Sequence, residues 1–142
     1  MKSVIIACIL VSLAGSVQGV ELVNMEIIKA IESSGDPAAF NTRSGARGLY
    51  QITDICRREY NNYHKAERIM PGDLFSPVVN ERIARWYLNE RIPQMLRYYG
   101  RAVTVENVLI AYNAGIAYVV EGRELPRETA DYLRKYNERG RR

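Results

Sequence analysis

Residues 23–32 spell a helix that the following residues force to stop. Val23, Ile27 and Ile31 recur at i, i+4 and i+8, with Ile28 beside them, which makes one apolar helix stripe. Ser33-Ser34-Gly35-Asp36-Pro37 follows directly, and so dense a run of breakers ends the helix and opens a loop. Glu32 is thereby placed on the last turn, one residue past a core isoleucine. The negative end of the helix dipole and the apolar neighbour both disfavour a charged carboxylate there, so its pKa is expected to rise. A carboxyl that stays protonated near neutral pH is what a general acid requires. Lys29, one turn back, would oppose the rise by folding over the carboxylate. The plain alternative is a solvated last-turn glutamate.

The chain is long enough for one small globular domain: 142 residues, 47% hydrophobic and 25% charged. A net charge of +4 suits an anionic polymer surface, but no clustered basic helix points to nucleic acid. Residues 1–19 differ in character. Lys2 gives a positive start, residues 4–14 are apolar apart from Ser12, and Val17 and Gly19 suit a cleavage site. The segment reads as a secretory signal, too short to span a membrane comfortably, with a retained anchor as the alternative. The mature domain then covers residues 20–142. Ile5-Ile6-Ala7-Cys8 resembles a lipoprotein box but comes too early in the segment. Cys8 leaves with the signal and Cys56 stays alone, so no intramolecular disulfide forms. Cys56 sits near Ile52 and Ile55 and is expected to be a buried thiol. The single histidine, His64, cannot complete a zinc site, and no acidic run has calcium-loop spacing. Neither metal nor cofactor is expected.

Further helices follow. Thr53 or Asp54 opens one that runs to about Tyr60. A polar loop over residues 61–73 comes next. Ser76-Pro77 starts another helix, with Val79, Ile83, Trp86 and Tyr87 facing inward, and Pro93 should end or kink it near Arg91. Trp86 has core spacing, with sugar stacking as the alternative. Thr104 caps a helix whose stripe is Val105, Val108, Leu109 and Tyr112, and Gly115 supplies its left-handed stop. Residues 116–122 make a short helical turn, and Glu124-Leu125-Pro126 leads into the last helix. The arginines at 139, 141 and 142 read as a frayed tail.

Several motifs now stand together. They are Glu32-Ser33 with its Gly/Asp/Pro turn, Ala39-Phe40-Asn41, Ser44-Gly45-Ala46 and Gly48-Leu49-Tyr50-Gln51. Ala111-Tyr112-Asn113-Ala114-Gly115 and Glu128-Thr129 with Tyr132 complete the set. This set resembles the catalytic domain of the soluble lytic transglycosylases, and the stretch from Leu74 to Asn80 resembles a structural part of it. The resemblance implies an all-α, lysozyme-like single domain that cleaves the glycan strands of peptidoglycan. It implies a periplasmic or secreted, cell-envelope-associated protein, expected to be a monomer, with an envelope-spanning machine as a candidate partner. Glu32 would be catalytic. Ser33 and Gln51 would hydrogen-bond the glycan, and Tyr50 and Tyr112 would face sugar. Asn113 would hold the region together, Glu128 would contact glycan or peptide, and Tyr132 would lie near the cleft floor. Two departures stand out. Tyr50 replaces the family's usual Met, and Glu32 and Gln51 are 19 residues apart, about one more than the pattern leads one to expect.

Glycoside cleavage commonly uses two carboxylates. No convincing partner for Glu32 is visible: Asp36 suits a turn cap, Asp54 opens a helix, and Glu128 is remote in sequence. A lone glutamate suffices if the substrate's N-acetyl carbonyl attacks its own anomeric carbon and a 1,6-anhydro ring then closes. That mechanism is what the resemblance implies. A hydrolytic muramidase of the same fold and a non-catalytic wall-binding module are the alternatives.

Overall fold

The computed structural model describes residues 21–141. The expected signal segment with Cys8, and Arg142, lie outside the described residues. Helix α1 spans Met25–Glu32, and its Asn24 cap accepts the Ile27 N–H at 3.2 Å. The loop 33–53 follows. Helix α2, Asp54–Tyr63, is capped by Thr53 and extends a few residues past its expected end. A 3-10 turn at Pro71–Phe75 leads into α3, Pro77–Trp86. Next come α4 (Ile92–Tyr98), α5 (Val105–Asn113), α6 (Ile116–Glu121) and α7 (Arg127–Gly140). Among the described residues there is no strand; two isolated bridges, Phe40 with Arg47 and Arg47 with Ile52, tighten the loop. The protein is all-α. None of the described helices is long and apolar enough to cross a membrane.

Pro93 does not end its helix. A π turn at Tyr87–Arg91 joins α3 to α4, and the Ile92 N–H reaches the Tyr87 carbonyl. Proline lacks an N–H, and its ring would strike the carbonyl four residues back in a regular helix. The wider turn removes that conflict. The tail also differs from expectation: Arg139 lies within regular helix α7, which continues to Gly140 because Tyr132 and Tyr136 anchor it in the core. Trp86 is a core residue, edge-on to Tyr60 with ring centroids 5.2 Å apart. His64 ends α2 and stacks on Tyr60.

Helix α1 packs against α7 and α5 packs against α7 as well, so the ends of three helices gather around one side of the loop. Tyr136 fastens α7 to the start of α1, its hydroxyl accepting the Asn24 N–H at 2.7 Å. The loop itself is fixed by Asn80 of α3, which is fully buried. Its side-chain oxygen accepts the Tyr50 N–H at 2.8 Å, and its amide nitrogen donates to the Arg47 and Leu74 carbonyls at 2.8 and 2.7 Å. Gly48 makes this approach possible. A Cβ there would lie 2.4 Å from the Asn80 amide nitrogen and 2.3 Å from the Leu74 carbonyl oxygen, and its φ is +75°.

Asn80→Ala should therefore strand the Tyr50 N–H and the Leu74 carbonyl, while the Arg47 carbonyl keeps the Ile52 N–H. Each stranded group costs about 1–3 kcal/mol, so a loss of roughly 2 kcal/mol or more is expected. Urea unfolding followed by circular dichroism measures it, and a change under 1 kcal/mol would contradict this role.

Candidate active site

The chain leaves α1 through Ser33, whose hydroxyl lies 2.8 Å from the Leu49 carbonyl and accepts the Gly35 N–H. Ser34 and Gly35 then take positive φ, which turns the chain away from the helix axis. Asp36 accepts the Ala38 N–H at 2.8 Å and closes the next turn. Asn41 accepts the N–H groups of Arg43 and Ser44 through its side-chain oxygen. Gln51 sits at φ +50°, and its side-chain nitrogen donates to the Gly48 carbonyl at 3.1 Å.

These turns close one wall of a cleft of about 600 Å³. Its lining comes from Glu32, the loop at residues 41–53, the first turn of α2, Tyr87, the end of α5, and one face of α7. On α7 the cleft residues are Glu128, Tyr132 and Lys135, spaced as one helix face requires. Another groove, of about 550 Å³, is lined by residues including Tyr60, Trp86, Glu81, Arg82 and Arg85. Arg85 pairs there with Glu81, and Arg82 pairs with Glu67.

Glu32 is partly accessible from the cleft, yet enough protein surrounds its carboxyl to push its pKa up to about 7. Burial is the main cause. The Tyr132 hydroxyl works against it, favouring the carboxylate, while the charge of Glu128 adds to the rise. Lys29 does not fold over the carboxylate, because Glu26 holds its ammonium at 2.6 Å. Burial, with the charge of Glu32 beside it, keeps Tyr132 protonated far beyond the ordinary range. Its hydroxyl is buried and makes no well-formed hydrogen bond in the structure, so its proton is available to the Glu32 carboxylate. Tyr112 presents its ring to the cleft while its hydroxyl donates to the Tyr50 carbonyl at 2.5 Å. Asn113 accepts from the Thr129 hydroxyl at 2.7 Å, tying the end of α5 to α7.

The structure thus brings Glu32, Gln51, Tyr112, Asn113, Glu128 and Tyr132 to one cleft. It does not bring Tyr50 or Ser33 there as sugar contacts. Tyr50 is fully buried: the Asn80 bond to its N–H and the Gly48 turn seat its ring in the core, and only its carbonyl serves the site. The Ser33 hydroxyl is committed to the Leu49 carbonyl and braces the loop. Cys56 is buried, and burial pushes its thiol up to about 12, so it is no nucleophile. Sequence reasoning missed Arg43 and Lys135 in the lining. Lys135 was within reach of helix periodicity, three residues beyond Tyr132; nothing local marks Arg43 except the turn-forming Asn41.

Among the described residues no group of three His, Cys, Asp or Glu side chains forms a metal cage. The chain matches the family model described as the Transglycosylase SLT domain over residues 11–134. It belongs to that family. No curated protein and no solved structure matches it. The SLT assignment makes the all-α fold lysozyme-like and the chain a transglycosylase-type protein, and SLT domains act on peptidoglycan, an extracytoplasmic polymer. The match begins inside the segment read as a signal and ends within α7.

The raised Glu32 carboxyl has a stability consequence. Between its ordinary pKa of 4.5 and about 7, the folded SLT domain holds a proton that the unfolded chain has released. Stability therefore falls as pH rises through that window. The effect should be on the order of 2 kcal/mol, below the full linkage value because Glu32 stays partly accessible. Glu32→Gln should be about as stable as the wild type at pH 4 and more stable at pH 8. Thermal unfolding of both proteins across that range checks it, and parallel pH curves would show that Glu32 is not raised.

Proposed function

We propose that this SLT domain is a lytic transglycosylase that cleaves the β-1,4 bond between N-acetylmuramic acid and N-acetylglucosamine, leaving 1,6-anhydromuramic ends. One observation carries the reading: a carboxyl with a pKa near 7 stands at a glycan-sized cleft whose described lining holds only one other carboxylate, the exposed Glu128. Glu32 donates its proton to the glycosidic oxygen as that bond breaks. The N-acetyl carbonyl oxygen of the muramic residue bonds to the anomeric carbon and carries the developing charge. Glu32, now a carboxylate, takes the proton of the C6 hydroxyl. The C6 oxygen bonds to the anomeric carbon and displaces the carbonyl oxygen. The proton that left Glu32 is replaced, and no water is consumed. Tyr132 stabilises the carboxylate midway through this cycle, since its hydroxyl favours the charged form. Tyr112 and Gln51 line the sugar-binding floor. The protein would work in the periplasm or outside the cell, exported by residues 1–19.

Glu128 supports a second reading. It shares the cleft with Glu32 and its charge is felt there, so a muramidase could use it to activate a water. Its exposure favours a binding role instead, because a base that faces bulk solvent gains little from its surroundings.

Purified sacculi digested by the wild type and analysed by mass spectrometry separate the readings. Anhydro ends, one water lighter than reducing ends, are the expected product; reducing ends would move the enzyme to the hydrolases. Glu32→Gln should lose on the order of 10² to 10⁴-fold in rate or more while still binding the wall. Activity retained in that variant would remove Glu32 from the mechanism. In the wild type, kcat/KM should decline above about pH 7, as the acid loses its proton.

A further inference from the structure

The cleft holds two cations that the chemistry above does not use. Arg43 projects from the turn that Asn41 organises, and Lys135 lies on α7 one turn beyond Tyr132. Neither forms an ion pair or a side-chain hydrogen bond among the described residues. Elsewhere many of this chain's cations are engaged: Arg57 and Arg58 with Asp54, Arg85 with Glu81, Arg91 with Glu59, Arg134 with Glu138. Arg43 and Lys135 therefore line the cleft with charges that no side chain among the described residues pairs, and those charges are left for whatever enters.

Resting on the glycan-cleaving reading, we propose that Arg43 and Lys135 are specificity residues that bind carboxylates carried by the muramic side of the substrate. The chemistry fits. The sugar ring and N-acetyl group are neutral, so a cation gains little from them. The lactyl substituent, when bare, and the stem peptide both end in carboxylates. Guanidinium and carboxylate match in a planar, two-point geometry, and ammonium adds a compact charge. Two cations from separate segments, the loop and α7, would also fix which way the strand lies across Glu32. Glu128, on the same face of α7 as Lys135, would repel a misplaced carboxylate and sharpen the choice.

The test uses sacculi in three forms: native, with carboxylates converted to amides by carbodiimide and ammonia, and stripped of peptides by an amidase so that only lactyl carboxylates remain. Binding is measured by co-sedimentation of Glu32→Gln, which does not digest the wall, and cleavage by product release from the wild type. Binding to amidated sacculi is expected to fall about tenfold, and adding Arg43→Gln and Lys135→Gln should lower binding to native sacculi equally. The triple variant should no longer distinguish native from amidated wall, whereas Arg97→Gln, an exposed control, should. Retention on stripped glycan would assign the lactyl carboxylate; loss there would assign the stem peptide. Equal binding to native and amidated sacculi, or a triple variant that still discriminates, overturns the proposal. Wild type that cleaves none of the three would overturn the catalytic reading, while the binding comparison would still decide this one.

Discussion

Everything in the site hangs on Asn80. A loop as long as 33–53, without strands of its own, has no ladder to hold it, and its backbone groups need partners when buried. One amide from α3 supplies two of them at once, across 30 residues to Tyr50 and 33 to Arg47, and ties them to the Leu74 carbonyl of the 3-10 turn. The glycine at 48 lets the two segments touch. With that contact made, the Tyr50 carbonyl is held where Tyr112 can donate to it, and Gln51 is turned toward the cleft. A core contact thus sets the position of one wall of the cleft. Such a contact is rigid because its geometry is over-determined, and catalytic groups need that rigidity within fractions of an ångström.

Glu32 shows the opposing requirement. A carboxyl that keeps its proton near neutral pH must sit where its charged form is unwelcome, and that costs the fold stability as pH rises toward neutral. Burial is the large effect and the Tyr132 hydroxyl the smaller one against it. The balance leaves the group near the midpoint of titration, able to release a proton and to recover one. A drier pocket would give an acid that cannot ionise; a wetter one would give an ordinary glutamate. Lys29, drawn off by Glu26, is kept out of that balance.

Much of this was legible in the sequence because helix ends announce themselves. The stripe at Val23, Ile27 and Ile31 and the breakers after Glu32 placed that carboxyl at a helix end beside an apolar neighbour and foretold its raised pKa, of which burial is the main cause. The caps at Thr53 and Thr104 were also visible. Tyr50 was misplaced because a tyrosine in a loop says nothing about which way the backbone turns. That direction depends on Asn80, thirty positions away. Ser33 was misjudged for a similar reason: its hydroxyl answers a carbonyl brought near by folding. Arg43 and Lys135 carry no motif, and only the folded cleft brings both into one lining. Pro93 marked the break in regular helix near Arg91, but not that a π turn would bridge it.

The π turn has a further effect, on phase. Asn80, Ala84, Leu88, Ile92 and Leu96 are all fully buried, at every fourth position. An α-helix turns about 100° per residue, so a strict four-residue repeat drifts about 40° at each step and about 160° over this run. An unbroken α-helix would have carried Leu96 around toward the far side from Asn80. The extra residue taken up at Tyr87–Arg91 returns about 100° of that drift. One side of the rod stays inward from the amide that pins the loop to the leucine that seals the opposite end of the core. The wide turn acts as a vernier, reconciling a sequence period of four with a helix that does not repeat at four.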